Sequence, residues 1–140
     1  MAAIKLKAYH REQRKIFYVT GFMGIGNEMK VFTPEGSTPG KDVDLLLCSL
    51  RKDQSGMDIY DQDIVSYILK EQGKKGSGRI VIGWIDFKDG AFIFSYDEPI
   101  KDAEDKIVNF EMRTYRDWDS TKMKVLGNKS KDGSLLQQMK

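Results

Sequence analysis

The sequence predicts a mainly β fold, a small barrel or sandwich of short antiparallel strands with one or two short helices. Three observations predict it. Apolar and polar residues alternate with a period of two along most of the chain. Turn signals rich in glycine, proline and aspartate recur between these stretches. The 140 residues match the size of one domain that can bury its own core.

The N-terminal half contains three short strand patterns. Alternation over Ile4–Ala8 predicts the first strand, and aromatic and β-branched residues over Lys15–Thr20 predict the second. A third lies around Met29–Thr33. Residues 34–42 hold two of the three prolines and are predicted as a mobile loop. The apolar stretch Val43–Leu50 predicts a buried strand or a short helix, because periodicity cannot separate these for so short a run.

The C-terminal half continues the β pattern. Its predicted strands are Asp63–Lys70, Arg79–Phe87, Ala91–Tyr96, Lys106–Arg116 and Lys122–Leu126. Asp53–Met57 is predicted as a turn, and Asp89–Gly90 as the centre of a tight hairpin, because both central residues of a type I′ turn need positive φ. Residues 73–78 are a second mobile loop. Residues 129–140 are a C-terminal tail or a short helix capped by Ser134.

The predicted central hairpin is apolar on both faces. In its first strand the two sets of alternating apolar residues are Ile80, Ile82 and Trp84, and Val81, Ile85 and Phe87. Such a sheet must be covered on both sides, either by other parts of the same chain or by a neighbouring subunit. A homo-oligomer is therefore one of two open predictions.

The composition contains little catalytic chemistry. Cys48 is the only cysteine, which excludes an internal disulfide and a cysteine-based zinc site. It lies among leucines and is predicted to be a buried, inert thiol. His10 is the only histidine and is predicted to be exposed in a basic turn. No catalytic, cofactor-binding or metal-ligating residue is predicted, and we expect a protein that is not an enzyme.

Three stretches resemble known sites only in part. Residues 21–26 have the spacing GxxGxG without a following helix, and in residues 73–79 the serine follows glycine instead of lysine, so neither is a standard phosphate-binding loop. Asp61 and Asp63 would share one face of a strand, where two carboxylates suit Mg²⁺. Turn chemistry explains these aspartates better. A metal-dependent hydrolase remains the third functional class.

Charge is distributed unevenly along the chain. The net charge is +2, but residues 1–30 and 122–140 each carry +4 and the middle carries −6. Folding either neutralises the ends or forms an anion-binding patch. The candidate phosphate or nucleic-acid contacts are Arg11, Arg14, Lys15, Lys74, Lys75 and Arg79. The aromatic rings available to stack on bases are Tyr9, Phe17, Tyr18, Trp84, Phe87 and Trp118.

Residues 50–67 carry a longer pattern. They read Leu50-Arg-Lys-Asp-Gln-Ser-Gly56-Met-Asp-Ile59-Tyr60-Asp-Gln-Asp63-Ile64-Val65-Ser-Tyr67. This stretch resembles the motif of the YopX-like proteins of phages and prophages, roughly Leu-x-Asp-x-x-Gly-x-x-Ile-Tyr-Glu-Gly-Asp-Ile-Val. The matching motif positions, expected to be structural, are Gly56, Ile59, Tyr60, Asp63, Ile64 and Val65. Gln62 stands where that family usually has glycine, so the turn must avoid positive φ or accept strain.

The resemblance implies a small SH3-like or pseudo-barrel β structure with no assigned activity and no cofactor. Together with the residue analysis it predicts a phage or prophage protein that binds a host or phage protein, for example to inhibit a host defence system. The alternative is a nucleic-acid-binding small barrel. No apolar run approaches the roughly 20 residues of a membrane span, and no secretion signal is recognisable, so we expect a location in the bacterial cytoplasm with no membrane partner.

Overall fold

A computed structural model of the chain describes residues 5–70 and 78–133 and shows a mainly β protein. Within these residues there are twelve strands and one short α-helix. The strands are β1 (Leu6–His10), β2 (Lys15–Tyr18), β3 (Gly21–Met23), β4 (Lys30–Thr33), β5 (Gly36–Pro39), β6 (Val43–Lys52), β7 (Asp58–Tyr60), β8 (Asp63–Lys70), β9 (Gly78–Lys88), β10 (Ala91–Lys101), β11 (Ile107–Tyr115) and β12 (Met123–Asn128). The helix α1 spans Lys129–Asp132.

The described strands form three antiparallel sheets. Their strand orders are β2-β1-β6-β7, β11-β10-β9-β8-β12 and β3-β4-β5. Most paired strands are neighbours along the chain, and the pairs β1–β6 and β8–β12 join distant segments. The curled sheets form a half-barrel with one short helix, which confirms the predicted fold class.

The apolar faces meet in two clusters. The larger contains Ile59, Val65, Ile85, Phe94, Tyr96, Trp118 and Met123. Stacked rings run across it from Tyr67 to Phe94 to Tyr96 to Tyr115, with centroids 5.0, 6.0 and 6.1 Å apart. The smaller contains Ala8, Val19, Val31 and Val43. One face of the hairpin β9–β10 is therefore covered by other parts of the same chain, which agrees with one of the two open predictions.

Local turn chemistry agrees with the sequence where the turn is short. Asp89 and Gly90 have φ of 52° and 80°, which are the values that a type I′ hairpin requires. The turn at Asp53–Met57 is also confirmed. Asp53 holds it by accepting N–H bonds from Ser55 at 2.8 Å and Met57 at 2.9 Å.

Asp53 also fixes this turn against the end of the five-stranded sheet. Its Oδ2 accepts the N–H of Val125 on β12 at 2.9 Å, and the N–H of Gln54 donates to the carbonyl of Met123 at 2.9 Å. Burial raises the pKa of Asp53, but the backbone donors lower it by more, so the pKa lies below its usual value. The turn therefore covers the outer edge of β12.

One assignment in the N-terminal half changes, and one open alternative is decided. Residues 34–42 are not an irregular loop, because Gly36–Pro39 form β5 against β4 and Gly40–Asp42 form one 3₁₀ turn. The prolines did not prevent this, since β5 is an edge strand and Pro39 lies at its end. The stretch from Val43 is a strand, which decides between the two alternatives.

The single histidine is buried, which corrects the prediction of an exposed turn residue. His10 is 6% exposed, lies between β2 and β6 in the ladder, and its Nδ1 accepts the N–H of Gln13 at 3.1 Å. Cys48 is buried as predicted.

The C-terminal prediction is met in part. The short helix begins at Lys129, and the side chain of Asn128 caps it by accepting the N–H of Ser130 at 2.8 Å. The predicted cap Ser134 and most of the predicted loop 73–78 lie outside the described residues.

Gly83 provides a test of the packing between β9 and β10. A Cβ there would overlap the carbonyl oxygen of Ser95 and lie 2.7 Å from the ring of Phe94. We expect Gly83→Ala to lower the free energy of unfolding by about 2–3 kcal/mol in urea denaturation. Gly21→Ala is the matched control in another strand, because a Cβ there meets nothing within 4 Å. Equal stability of the two variants would contradict the close approach.

Candidate functional site

The motif positions at residues 56–65 build a buried turn between β7 and β8. Gly56 has φ +85° in the preceding turn. The buried motif residues are Ile59, Tyr60, Asp63, Ile64 and Val65. Their side chains lie in the protein interior, so in this chain they hold the fold together and do not form an exposed surface.

Asp63 closes this turn from inside. Its Oδ2 accepts the N–H of Tyr60 at 2.7 Å, and its carboxyl group is hydrogen-bonded to the side chain of Asn128. Burial raises the pKa of Asp63 to about 6, although the Tyr60 N–H, the charge of Lys7 and Asn128 act in the opposite direction. The carboxylate therefore joins β8 to the end of β12.

Asp61 has a different position from the one predicted. It lies in the turn, so it does not share a strand face with Asp63. Its Oδ1 accepts the N–H of Phe87 at 2.9 Å and one amide hydrogen of Gln62 at 3.1 Å. Among residues 5–70 and 78–133, no group of three or more His, Cys, Asp or Glu side chains is placed to hold a metal ion.

Gln62 adopts a left-handed conformation, with φ +71°. The sequence left two options for this position, to avoid positive φ or to accept strain, and the turn accepts the strain. The side chain compensates, because its Nε2 also donates to Asp86 at 2.8 Å. Its backbone N–H donates to the carbonyl of Ile85, and its carbonyl accepts the N–H of Lys129, both at 2.6 Å. A glycine here would keep the turn and lose the bridge to Asp86.

The described candidate basic contacts lie at two places in the fold, around the β1–β2 turn and on β9. Arg11 donates to Asp44 at 2.6 Å and to the carbonyl of Lys41. Arg79 lies in a different sheet and makes an ion pair with Glu98. The exposed Arg14 and Lys15 lie at the β1–β2 turn, and Lys74 and Lys75 lie outside the described residues.

Most of the aromatic rings considered for base stacking are not available. Tyr9, Trp84 and Trp118 are buried, and Phe17 is half-buried. The exposed ones are Tyr18 and Phe87. The Phe87 ring packs against Phe92, with centroids 4.8 Å apart.

The five-stranded sheet divides between β9 and β10. The two strands pair from their tight turn as far as Tyr96, which lies opposite Gly83. Beyond that point β9 stays paired with β8 and β10 stays paired with β11. The two hairpins separate, and a cavity of about 250 Å³ opens between them, which we call the split-sheet cleft.

Two residues mark the two sides of this division. Gly83 allows the strands to approach closely at the last pair, as its contacts with Phe94 and Ser95 show. Pro99 has no N–H and therefore cannot donate to a ladder with β9. Gly83 lies inside the predicted strand Arg79–Phe87 and was a signal available in the sequence, whereas Pro99 lies beyond the predicted strand Ala91–Tyr96 and inside β10 only in the structure.

The walls of the split-sheet cleft are apolar and partly open to solvent. They are formed by Ile80, Val81, Ile82, Trp84, Pro99, Ile107 and Phe110. Ile80 is 68% exposed and Ile107 is 52% exposed, on opposite sides of the cleft. Contiguous exposed apolar surface of this kind marks an interaction site more often than isolated exposed residues do.

An ion pair with two hydrogen bonds lies among the apolar walls of the cleft. The guanidinium of Arg79 donates to both oxygens of Glu98, at 3.0 and 2.9 Å. Burial raises the pKa of Glu98, but the hydrogen bonds from Arg79 and Tyr96 lower it by more, so Glu98 is ionised. Burial, and then hydrogen bonding to Tyr115, raise the pKa of Tyr96, which keeps its proton. The cleft therefore combines apolar walls with the ion pair of Arg79 and Glu98, and Asp97 also lines it.

Comparisons with known proteins bear on the fold alone. No protein-family model matches the chain, and no curated protein matches it. The crystal structure of protein EF1440 from Enterococcus faecalis is similar over 94% of this chain and 96% of that chain, with a TM-score of 0.53. The sequence identity is 15%, so the likeness concerns the arrangement of strands and not the function.

No helix among the described residues is long and apolar enough to cross a membrane.

The buried carboxyl group of Asp63 predicts a specific pH dependence. The unfolded chain releases this proton near pH 4 and the folded chain near pH 6, so the free energy of unfolding falls as pH rises between these values. The difference in the free energy of unfolding between wild type and Asp63→Asn, measured by urea denaturation, should therefore change by about 1.4 kcal/mol per pH unit in that window.

Asp119→Asn is the control for this measurement. Hydrogen bonds from Thr121 lower the pKa of Asp119, so the titration of this carboxyl group changes the free energy of unfolding only below about pH 4. The difference in the free energy of unfolding between wild type and Asp119→Asn should therefore stay constant between pH 4 and 6. Parallel curves for wild type and Asp63→Asn would contradict the buried position of the carboxyl group.

Proposed function

We propose that the protein is a non-enzymatic binding protein that receives an apolar side chain of a protein partner in the split-sheet cleft. The observation that carries this proposal is the exposed apolar wall around Ile80 and Ile107, in a place where the sheet has separated. Exposing these side chains to water costs free energy that a partner would recover by covering them.

The size of the cleft supports a side chain as its occupant. Its volume of about 250 Å³ is below the roughly 300–1,000 Å³ of common small-molecule sites. Protein interfaces are often anchored by one or two large side chains that fill such a pocket. The ion pair of Arg79 and Glu98 is already satisfied internally, which favours contact over bond-making chemistry.

The resemblance to YopX-like proteins completes the proposal. It supports phage or prophage origin, an SH3-like description of the half-barrel, and a location in the bacterial cytoplasm. The partner would then be a host or phage protein, and inhibition of a host defence system is one form that such binding would take. A nucleic-acid partner is the competing outcome of the experiment below.

The experiment compares capture from bacterial lysate by four immobilised proteins: wild type, two cleft variants and one control variant. Ile80→Asp and Ile107→Asp place a charge on either wall of the cleft, and both sites are exposed enough for the fold to persist. Ile25→Asp is the matched control, because Ile25 is 88% exposed and lies outside the cleft. We expect a protein that wild type and Ile25→Asp retain after nuclease treatment and that both cleft variants lose at least about tenfold.

Three results would contradict the proposal. One is equal capture by the cleft variants and the control. Another is capture that nuclease abolishes, which would favour nucleic acid. The third is the absence of any captured protein that depends on the cleft. Circular dichroism of each variant establishes that it is folded.

A further inference from the structure

A second, more polar pocket lies at the N-terminal half of the protein, and we call it the His10 pocket. Its volume is about 160 Å³, and its residues differ from those of the split-sheet cleft. One side is formed by β1, β2 and the turn between them, and the other by the hairpin β4–β5. The residues that determine its chemistry are His10, Gln13, Phe17, Glu35, Ser37 and Thr38.

His10 forms the inner end of this pocket. It lies on the same face of β1 as Ala8, because residues two apart in a strand share a face, and Ala8 belongs to the smaller core cluster. His10 is only 6% exposed, so the surrounding protein holds its ring in place. A ligand in the pocket would therefore meet an imidazole of fixed orientation.

The hydrogen bond at one ring nitrogen determines what the other nitrogen offers. Nδ1 accepts the backbone N–H of Gln13 at 3.1 Å, so the neutral ring carries its proton on Nε2. Within residues 5–70 and 78–133, Nε2 has no hydrogen-bond partner, and it is not sealed from solvent. The imidazole therefore presents an unused N–H donor to the pocket, where an oxygen of a ligand would satisfy it.

The walls of the pocket add further polar groups and one aromatic ring. The hydroxyl groups of Ser37 and Thr38 make no hydrogen bond with another residue in the described part of the chain. Each of them can both donate and accept, as can the side-chain amide of Gln13. Glu35 adds an exposed carboxylate, which only accepts, and Phe17 adds a half-buried ring.

These groups are unsuited to several classes of ligand. A metal ion would need the lone pair of Nε2, where the proton lies. An anion would meet the carboxylate of Glu35, with no lysine or arginine among the described lining residues to offset it. Lys15 lies opposite His10 in the ladder but is exposed and does not line the pocket. A simple cation would leave the His10 N–H without an acceptor.

We propose that the His10 pocket binds one uncharged sugar ring, either a free monosaccharide or the terminal residue of a glycan. A sugar hydroxyl accepts from Nε2 of His10, and another donates to the carboxylate of Glu35, because each hydroxyl can do both. The faces of the Phe17 ring carry partial negative charge, so they attract the polarised C–H groups of the sugar.

The volume of the pocket limits the ligand to a single ring. About 160 Å³ corresponds to roughly five water molecules, at about 30 Å³ for each water in the liquid. The proposal goes beyond the proposed function, because the pocket and the split-sheet cleft are built from different residues and different sheets.

Two-dimensional NMR of the full ¹⁵N-labelled chain tests this proposal. The probes are D-glucose, D-galactose, D-mannose and N-acetyl-D-glucosamine. At least one should shift the amide signals of Gln13, Gly36 and Ser37 to saturation, with a dissociation constant on the order of 1 mM. The Gln13 signal is the most direct reporter, because its N–H donates to the His10 ring.

The methyl glycoside of each sugar that binds distinguishes the two sources. A glycan terminus has no free anomeric hydroxyl, so binding of the methyl glycoside supports a glycan. Binding that requires the free anomeric hydroxyl supports a monosaccharide.

Variants locate the binding in the pocket. Glu35→Ala removes an acceptor and should raise the dissociation constant about tenfold. Glu12→Ala is the matched control, because Glu12 is also exposed but does not line the pocket. His10→Phe removes the Nε2 donor and keeps a ring, with an equal expected loss. Ser37→Ala replaces it if circular dichroism shows that His10→Phe is unfolded, since Ser37 is exposed.

Three results would overturn the proposal. One is the absence of a saturable shift with all four sugars and their glycosides. Another is equal binding by wild type and Glu35→Ala. The third is an equal response to cyclohexanol, which has one hydroxyl, or to inorganic phosphate. None of these bears on the split-sheet cleft, and Ile80→Asp should bind the sugar as wild type does.

Discussion

The close approach of Gly83 to Phe94 and Ser95 is the constraint from which the main features of the sheet follow. On the turn side of this point, β9 and β10 stay paired and place Ile85 and Phe94 in the larger core. On the other side the strands part after Tyr96 and Gly83, and Pro99 has no N–H to donate to β9 there. The cleft and the exposed hairpin β10–β11 both follow from the end of the pairing between β9 and β10 at Gly83 and Tyr96.

Aspartates complete the backbone hydrogen bonding where strands end. Asp53, Asp61 and Asp63 accept the N–H groups of Val125, Phe87 and Tyr60 respectively. A short carboxylate can serve several donors at once, which is why aspartate is common in such turns. Asp61 and Asp63 suggested a metal pair in the sequence, but each one bonds to a different part of the backbone. Their pKa values differ because backbone donors outweigh burial at Asp53, whereas burial prevails at Asp63.

The hairpin β10–β11 forms one wall of the split-sheet cleft with its face toward β9. Its second strand, β11, is the last of the five-stranded sheet, and every residue from Ile107 to Thr114 is exposed. This wall of the cleft therefore lies at the outer end of the sheet, where solvent reaches its apolar side chains.

Short-range pattern was sufficient to predict most strands, the Asp89–Gly90 hairpin, the Asp53–Met57 turn and the burial of Cys48, because each depends on residues close together in the chain. It was insufficient for the burial of His10, for the ion pairs of Arg11 and Arg79, and for the cleft. These depend on which distant strands become neighbours, as in the pairs β1–β6 and β8–β12. Alternation marks the apolar face of a strand, but only packing between remote segments determines whether that face is covered.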